Sequence, residues 1–129
     1  MESATQVVRE SSSRTQRRAG GSLIEECRLA IRSQGNAASH VIEVFGELDI
    51  ATAPRLDEEL RRIEGLDGKQ VLLDLRGLDF IDSEGVRVLL AAARRFRSGS
   101  TRLRMFRGGP EIERILRILG LDNDLPFLD

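Results

Sequence analysis

The residues best placed to do chemistry are the run Asp82-Ser83-Glu84-Gly85, which follows the aliphatic stretch Val71-Leu72-Leu73-Asp74-Leu75 and opens a helical pattern. A hydroxyl at the mouth of a helix meets free backbone N–H groups and the positive end of the helix dipole. A phosphate on Ser83 would add a charge of roughly -1.5 to -2, which that helix end stabilises. A partner docked on the same surface would meet a new buried charge. A like charge about 4 Å away costs up to about 4 kcal/mol at an effective dielectric of 20, close to a thousandfold in binding. Two readings stand at this point: Ser83 is a modification switch, or Asp82 and Ser83 are only helix caps.

Other chemistries find less support. The single His, His40, stands beside an Asn/Ser-rich turn and reads as a solvated loop residue. The nucleophile elbow G-x-S-x-G is absent, as are a P-loop, a G-x-G-x-x-G fingerprint and H-E-x-x-H. Asp79 and Asp82 are the kind of carboxylates that turns ordinarily carry. Arg107-Gly108-Gly109-Pro110 fits either an anion nest or a simple bend into a helix begun by Pro. One Cys excludes an internal disulfide, and one Cys with one His leaves no zinc cage. No catalytic residue, metal site or cofactor is expected.

The chain of 129 residues suits one compact domain. A net charge of -1 and 4% aromatic residues argue against a nucleic-acid binder, which needs a basic surface and stacking rings. No apolar run approaches the roughly 18 residues needed to span a bilayer, and no apolar block marks a signal peptide. The expectation is a cytoplasmic protein bound to neither nucleic acid nor membrane, a monomer or weak dimer.

The elements that must position Ser83 follow from patterning. Residues 1–21, with Ser11-Ser12-Ser13, several Arg and Gly20-Gly21, read as a disordered tail, either a basic recruiting arm or a merely solvated extension. The folded domain is expected over 22–129. Cys27, Leu29 and Ile31 alternate with polar neighbours as a half-buried strand. Ser33-Gln34-Gly35-Asn36 supplies a turn, and Val41–Phe45 an antiparallel partner. Thr52 and Pro54 start a helix, with Asp57, Glu58 and Glu59 set near its positive end; Ala53, Leu56, Leu60 and Ile63 line its buried face. Gly65 and Gly68 bracket its exit. Val71–Leu75 reads as a strand covered on both sides. A second helix buries Val86, Leu89, Leu90, Ala93 and Phe96. Leu103 and Met105 mark a further strand, and Ile112, Ile115, Leu116 and Leu119 line a third helix stopped by Gly120. The order β-β-α-β-α-β-α implies an α/β sheet with crossover helices.

Gly46-Glu47-Leu48-Asp49, Ala53-Pro54, Val71–Leu75 and Phe80-Ile81-Asp82-Ser83-Glu84-Gly85-Val86 together resemble the STAS domain, in particular the bacterial anti-sigma factor antagonists. Pro110–Leu116 and Leu119-Gly120-Leu121 are similar to that family's closing helix, so the likeness runs from about Cys27 to Leu128. The resemblance implies a STAS fold: a four- to five-stranded mixed β-sheet with helices packed mainly on one face, and no catalysis. It implies an anti-sigma factor partner that is also a serine kinase of the histidine-kinase-like ATPase fold. Binding that partner frees a sigma factor, phosphorylation at Ser83 ends the contact, and a PP2C-type phosphatase restores it. The implied partner-binding residues are Asp49, Thr52, Asp82, Ser83, Glu84, Gly85 and Val86. One departure stands out: Glu84 occupies a position where the family usually has Ser or Thr. Glu84 is then either a harmless first-turn acid or a bias toward an atypical partner. In the second case the chain would be a scaffold or transporter-accessory STAS module without a phosphorylation switch.

Overall fold

The computed structural model describes residues 7–12, 16–17, 23–24, 28–66 and 69–128. Strands β1 (Val7–Ser12), β2 (Gln16–Arg17), β3 (Leu23–Ile24), β4 (Leu29–Gly35) and β5 (Ser39–Leu48) come first. Helix α1 (Ala53–Glu64), strand β6 (Gln70–Ile81), helix α2 (Ser83–Arg97), strand β7 (Arg102–Phe106) and helix α3 (Pro110–Ile118) follow. The main sheet has the order β1-β4-β5-β6-β7. Its first two pairings are antiparallel, and β5–β6 and β6–β7 are parallel. This is the mixed α/β sheet that the patterning implies: four strands between Leu29 and Phe106, with β1 as a fifth.

The tail expected over 1–21 is therefore paired in part. β1 lies antiparallel to β4, from Val7 opposite Gly35 to Ser12 opposite Ala30, and β2 pairs with β3 in a separate two-stranded ladder. Backbone pairing to an open sheet edge uses N–H and C=O groups, which every non-Pro residue carries whatever its hydrophobicity. The remaining residues of 1–21, Cys27 and Gly68 lie outside the described residues.

The β4–β5 turn is tighter and later than Ser33–Asn36. Ser33 and Gly35 still pair across the ladder, opposite Ile42 and His40, and the turn is held by Asn36, whose Oδ1 accepts from the N–H groups of Ala38 and Ser39. His40 consequently falls inside β5 rather than in a solvated loop. It is buried, with Nε2 2.5 Å from Ser33 Oγ. Gly35 leaves room for the ring, since a Cβ there would stand 2.4 Å from His40 Nδ1.

Strand β6 is longer than Val71–Leu75, running through Gly77 to Ile81. Val71, Leu73 and Leu75 point into the core, whereas Leu72 on the alternate face is only half-buried, so the strand is not enclosed on both sides. Two crossovers that add strands in one direction, each right-handed, place their helices on the same face. α1 and α2 do contact one another. α1 buries Ala53, Leu56, Leu60 and Ile63, as its periodicity predicts. Asp57, Glu58 and Glu59 lie past its first turn; Asp57 pairs instead with Arg61, and Glu59 with Arg62. Arg95 of α2 reaches Glu64 of α1 at 2.7 Å.

The opposite face of the sheet carries a row of charged side chains. Arg32, Glu43 and Asp74 sit side by side on β4, β5 and β6. Arg32 and Glu43 are 3.5 Å apart, and Arg76 binds Asp74 at 2.8 Å while stacking over Phe106. The Arg76 hydrogen bond holds the Asp74 carboxyl below the ordinary carboxylate range despite burial. α3 buries Ile112 and Leu116, but Leu119 is the exposed C-cap rather than part of the apolar face. Gly120 ends the helix with a positive φ, and the N–H groups of Gly120 and Leu121 cap the carbonyls of Arg117 and Leu116.

The two faces of β6 differ in what they lose on truncation. Leu73→Ala should cost about 2–5 kcal/mol in urea unfolding, and Leu72→Ala only about 1 kcal/mol. Equal losses would mean that both faces are covered.

Candidate functional site

Because β5 and β6 are parallel and end together, Leu48 opposite Ile81, the chain leaves the sheet twice at the same edge. Crevices beyond the carboxyl ends of parallel strands are where such sheets commonly build sites. From Leu48 the chain turns through Asp49–Thr52 into α1, and from Ile81 a single residue, Asp82, leads into α2.

Asp82 joins the two exits. Its backbone is extended and its Oδ1 accepts from the Gly85 N–H at 3.0 Å, an N-cap, while Oδ2 accepts from the Ile50 N–H at 3.1 Å. The Asp82 N–H in turn donates to the Leu48 carbonyl. Gly85 is required by this close approach: a Cβ there would stand 2.6 Å from Leu48 O and 2.8 Å from Ile81 Cγ1. Ser83 is the first residue of α2, and it is exposed. Glu84 lies along the helix surface, its Oε1 accepting two hydrogen bonds from Arg87, at 3.0 and 2.8 Å. A pair three residues apart on one helix face keeps the Glu84 charge partly compensated next to Ser83.

The first exit is fixed from within. Thr52 stands at the N-cap of α1 but does not cap it with its side chain. Instead the Thr52 hydroxyl donates to Glu47 O at 2.7 Å and accepts from the Asp49 N–H at 2.9 Å. Asp49 Oδ1 accepts from the N–H groups of Ala51 and Thr52, and Oδ2 takes Arg28 at 2.6 Å. Burial by itself would raise the Asp49 carboxyl, but the bonds from Thr52 and Ala51 and the Arg28 charge outweigh it and hold the pKa below its usual value. Gly46, with φ +103°, lets β5 bulge past Arg28, whose carbonyl a Cβ would strike.

Of the seven residues expected at a docking face, the fold thus buries Asp49, Thr52, Gly85 and Val86 and leaves Ser83 exposed between half-buried Asp82 and Glu84. The four buried ones shape the surface from beneath. Two exposed apolar side chains near the two exits carry no local sequence signal of exposure by type: Ile50, 72% exposed, in the turn held by Asp82, and Phe80, 44% exposed, at the end of β6. The signal for Phe80 lay in its neighbour, because an inward Ile81 turns the preceding residue of a strand outward. Among the described residues, no group of three or more His, Cys, Asp and Glu side chains could hold a metal ion, and no helix is long and apolar enough to cross a membrane.

A family model described as "STAS domain" matches residues 28–129. The chain belongs to the STAS domain family. Over 96 residues this STAS chain is 28% identical to the anti-sigma-B factor antagonist of Listeria monocytogenes, an alignment spanning 74% of this chain and 84% of that relative. Its fold is similar to a solved anti-sigma factor antagonist from Mycobacterium paratuberculosis, with TM-score 0.68 and 23% identity over 77% of this chain and 84% of the other. It is also similar to the antagonist SpoIIAA in its unphosphorylated form, with TM-score 0.57 and 21% identity over 72% and 82% of the two chains. The phosphorylated form of Bacillus SpoIIAA gives TM-score 0.54 and 20% identity over 72% and 85%.

Two expected outcomes test the joint. Gly85→Ala should lower stability by about 1–3 kcal/mol, as overpacking does; a neutral substitution would mean that α2 does not abut Leu48. The Asp49 carboxyl has a lower pKa folded than its unfolded value of about 3.9, so its stabilisation is complete above that range and fades as pH falls through the folded pKa. Asp49→Asn should therefore flatten the loss of stability between neutral and acid pH, leaving the part due to Asp74; an unchanged slope in unfolding curves would contradict the assignment.

Proposed function

We propose that this STAS chain is an anti-sigma factor antagonist, acting by binding rather than catalysis and set in the cytoplasm. In the unmodified state it binds an anti-sigma factor that is also a serine kinase of the histidine-kinase-like ATPase fold, and so frees a sigma factor. Transfer of the ATP γ-phosphoryl group to the Ser83 oxygen, with loss of the hydroxyl proton and release of ADP, ends that contact. A PP2C-type phosphatase hydrolyses the phosphoserine and restores binding.

The observation that carries this reading is exposed Ser83 at the first position of α2, next to Asp82, whose carboxylate holds the turn that carries exposed Ile50. Apolar side chains supply contact area for a partner. A doubly charged phosphate placed among them would stay compatible with the free helix, whose first N–H groups and dipole favour anions, but would be costly to enclose in an interface. The antagonist names of the relatives support the same direction, and one structural neighbour is known in a phosphorylated form. The Glu84–Arg87 pair supports reading Glu84 as a compensated surface acid rather than a fixed substitute for phosphate.

With a purified anti-sigma factor kinase and ATP, mass spectrometry should find one phosphate, on Ser83. In a pull-down Ser83→Ala should bind as the unmodified protein does, and Ser83→Asp should bind at least about tenfold more weakly, given the cost of burying charge. Equal binding by both variants, with no phosphate on Ser83, would leave a STAS scaffold or accessory module without a switch.

A further inference from the structure

An open groove of about 540 Å³ lies at the far end of α2 from Ser83, beside the outer edge of β7. The fifteen residues of α2 span about 22 Å, so the groove is separate from the Ser83 surface and its occupant need not be the same partner. Ala93, Phe96 and Leu125 contribute its apolar wall, and Arg97, Arg102 and Arg104 its rim.

The edge itself is half used. Met105 directs its N–H and C=O away from β6, where they bond Pro126 O and the Leu128 N–H, so the chain's own last residues run parallel to β7 as a short added strand. Leu103, two residues back, turns its N–H and C=O to the same edge, and among the described residues nothing pairs with them. Side chains of a strand laid there would alternate between two surroundings. One set would face Ala93 and Phe96 on the helix side, and the other Arg102 and Arg104 on the open face of the sheet. Arg97 and Arg102 form no ion pair among the described residues, and Arg104 makes only one long bond, 3.3 Å, to Phe127 O. Asp124 is the single carboxylate lining the groove, which leaves an excess of positive charge.

We infer that the edge of β7 at Leu103 binds an extended acidic peptide segment of a partner protein, added as a strand beside β7. Main-chain bonds to Leu103 give the register, alternate apolar residues fill the wall, and the intervening Glu or Asp residues meet Arg102 and Arg104. Charge selects the occupant: the chain's own first 21 residues carry four Arg against two Glu and do not complement this rim.

The test uses the full chain and a fluorescein-labelled Glu-Val-Glu-Val-Glu-Val peptide, followed by fluorescence polarisation. Saturable binding should weaken at least about tenfold in Arg102→Glu/Arg104→Glu, both exposed positions, as loss of paired interface charges does. The peptide should also slow hydrogen exchange at the Leu103 amide, and a version N-methylated at alternate residues should lose binding with all its charges retained. Equal binding by the charge-reversed protein or by the N-methylated peptide would overturn the proposal. So would displacement of the peptide by millimolar inorganic phosphate, the mark of an anion pocket, or self-association of the chain that protects Leu103 without peptide.

Discussion

One carboxylate sets the geometry on which the site depends. Asp82 is the only residue between the end of β6 and the start of α2, and its two oxygens serve different elements, one capping α2 at Gly85 and the other holding Ile50 of the turn before α1. A cap alone needs one acceptor. The second bond ties the two chain exits together next to Ser83. The parallel pairing of β5 with β6 is the prior condition, because it brings Leu48 and Ile81 to the same level of the sheet.

The surrounding residues divide by depth. Buried Thr52 and Asp49, with half-exposed Arg28 on the Asp49 carboxylate, form a knot that satisfies the backbone of the first turn, and Gly85 permits helix and strand to approach closer than any side chain would allow. Asp49, Thr52 and Gly85 offer a partner little surface. The exposed residues at these exits are Ser83 and Ile50, with the Glu84–Arg87 pair along the helix. Substitutions in the buried group should act through the shape of this surface, and those in the exposed group through contact.

Much of this was legible in the sequence, and the failures have physical causes. The apolar spacing of α1 and α2 reports burial directly, so Leu56, Leu60, Val86 and Leu89 are where periodicity puts them. His40 belongs to the two-residue alternation His40-Ile42-Val44, which places the ring on the core face and outweighs the turn-forming residue types at Ser33–Asn36. Thr52 has the right type for an N-cap, yet the bonds it makes are to Glu47 and Asp49, a choice made by tertiary contacts rather than local preference. β1 left no hydrophobic signal because its pairing with β4 is a property of backbone and of an available edge. The bridge from Asp82 to Ile50 spans 32 residues, and no local pattern encodes it.

The proposed switch and the proposed peptide edge lie at opposite ends of α2, so the first stands or falls on how firmly Asp82 unites the Ser83 surface. Amide hydrogen exchange in Asp82→Ala measures this most directly. If one side chain holds both exits, the amides of Gly85 and Ile50 lose protection together while those of β6 keep theirs. Loss at Gly85 alone, with Ile50 exchanging as in the unaltered protein, would show an isolated helix cap and two independent loops.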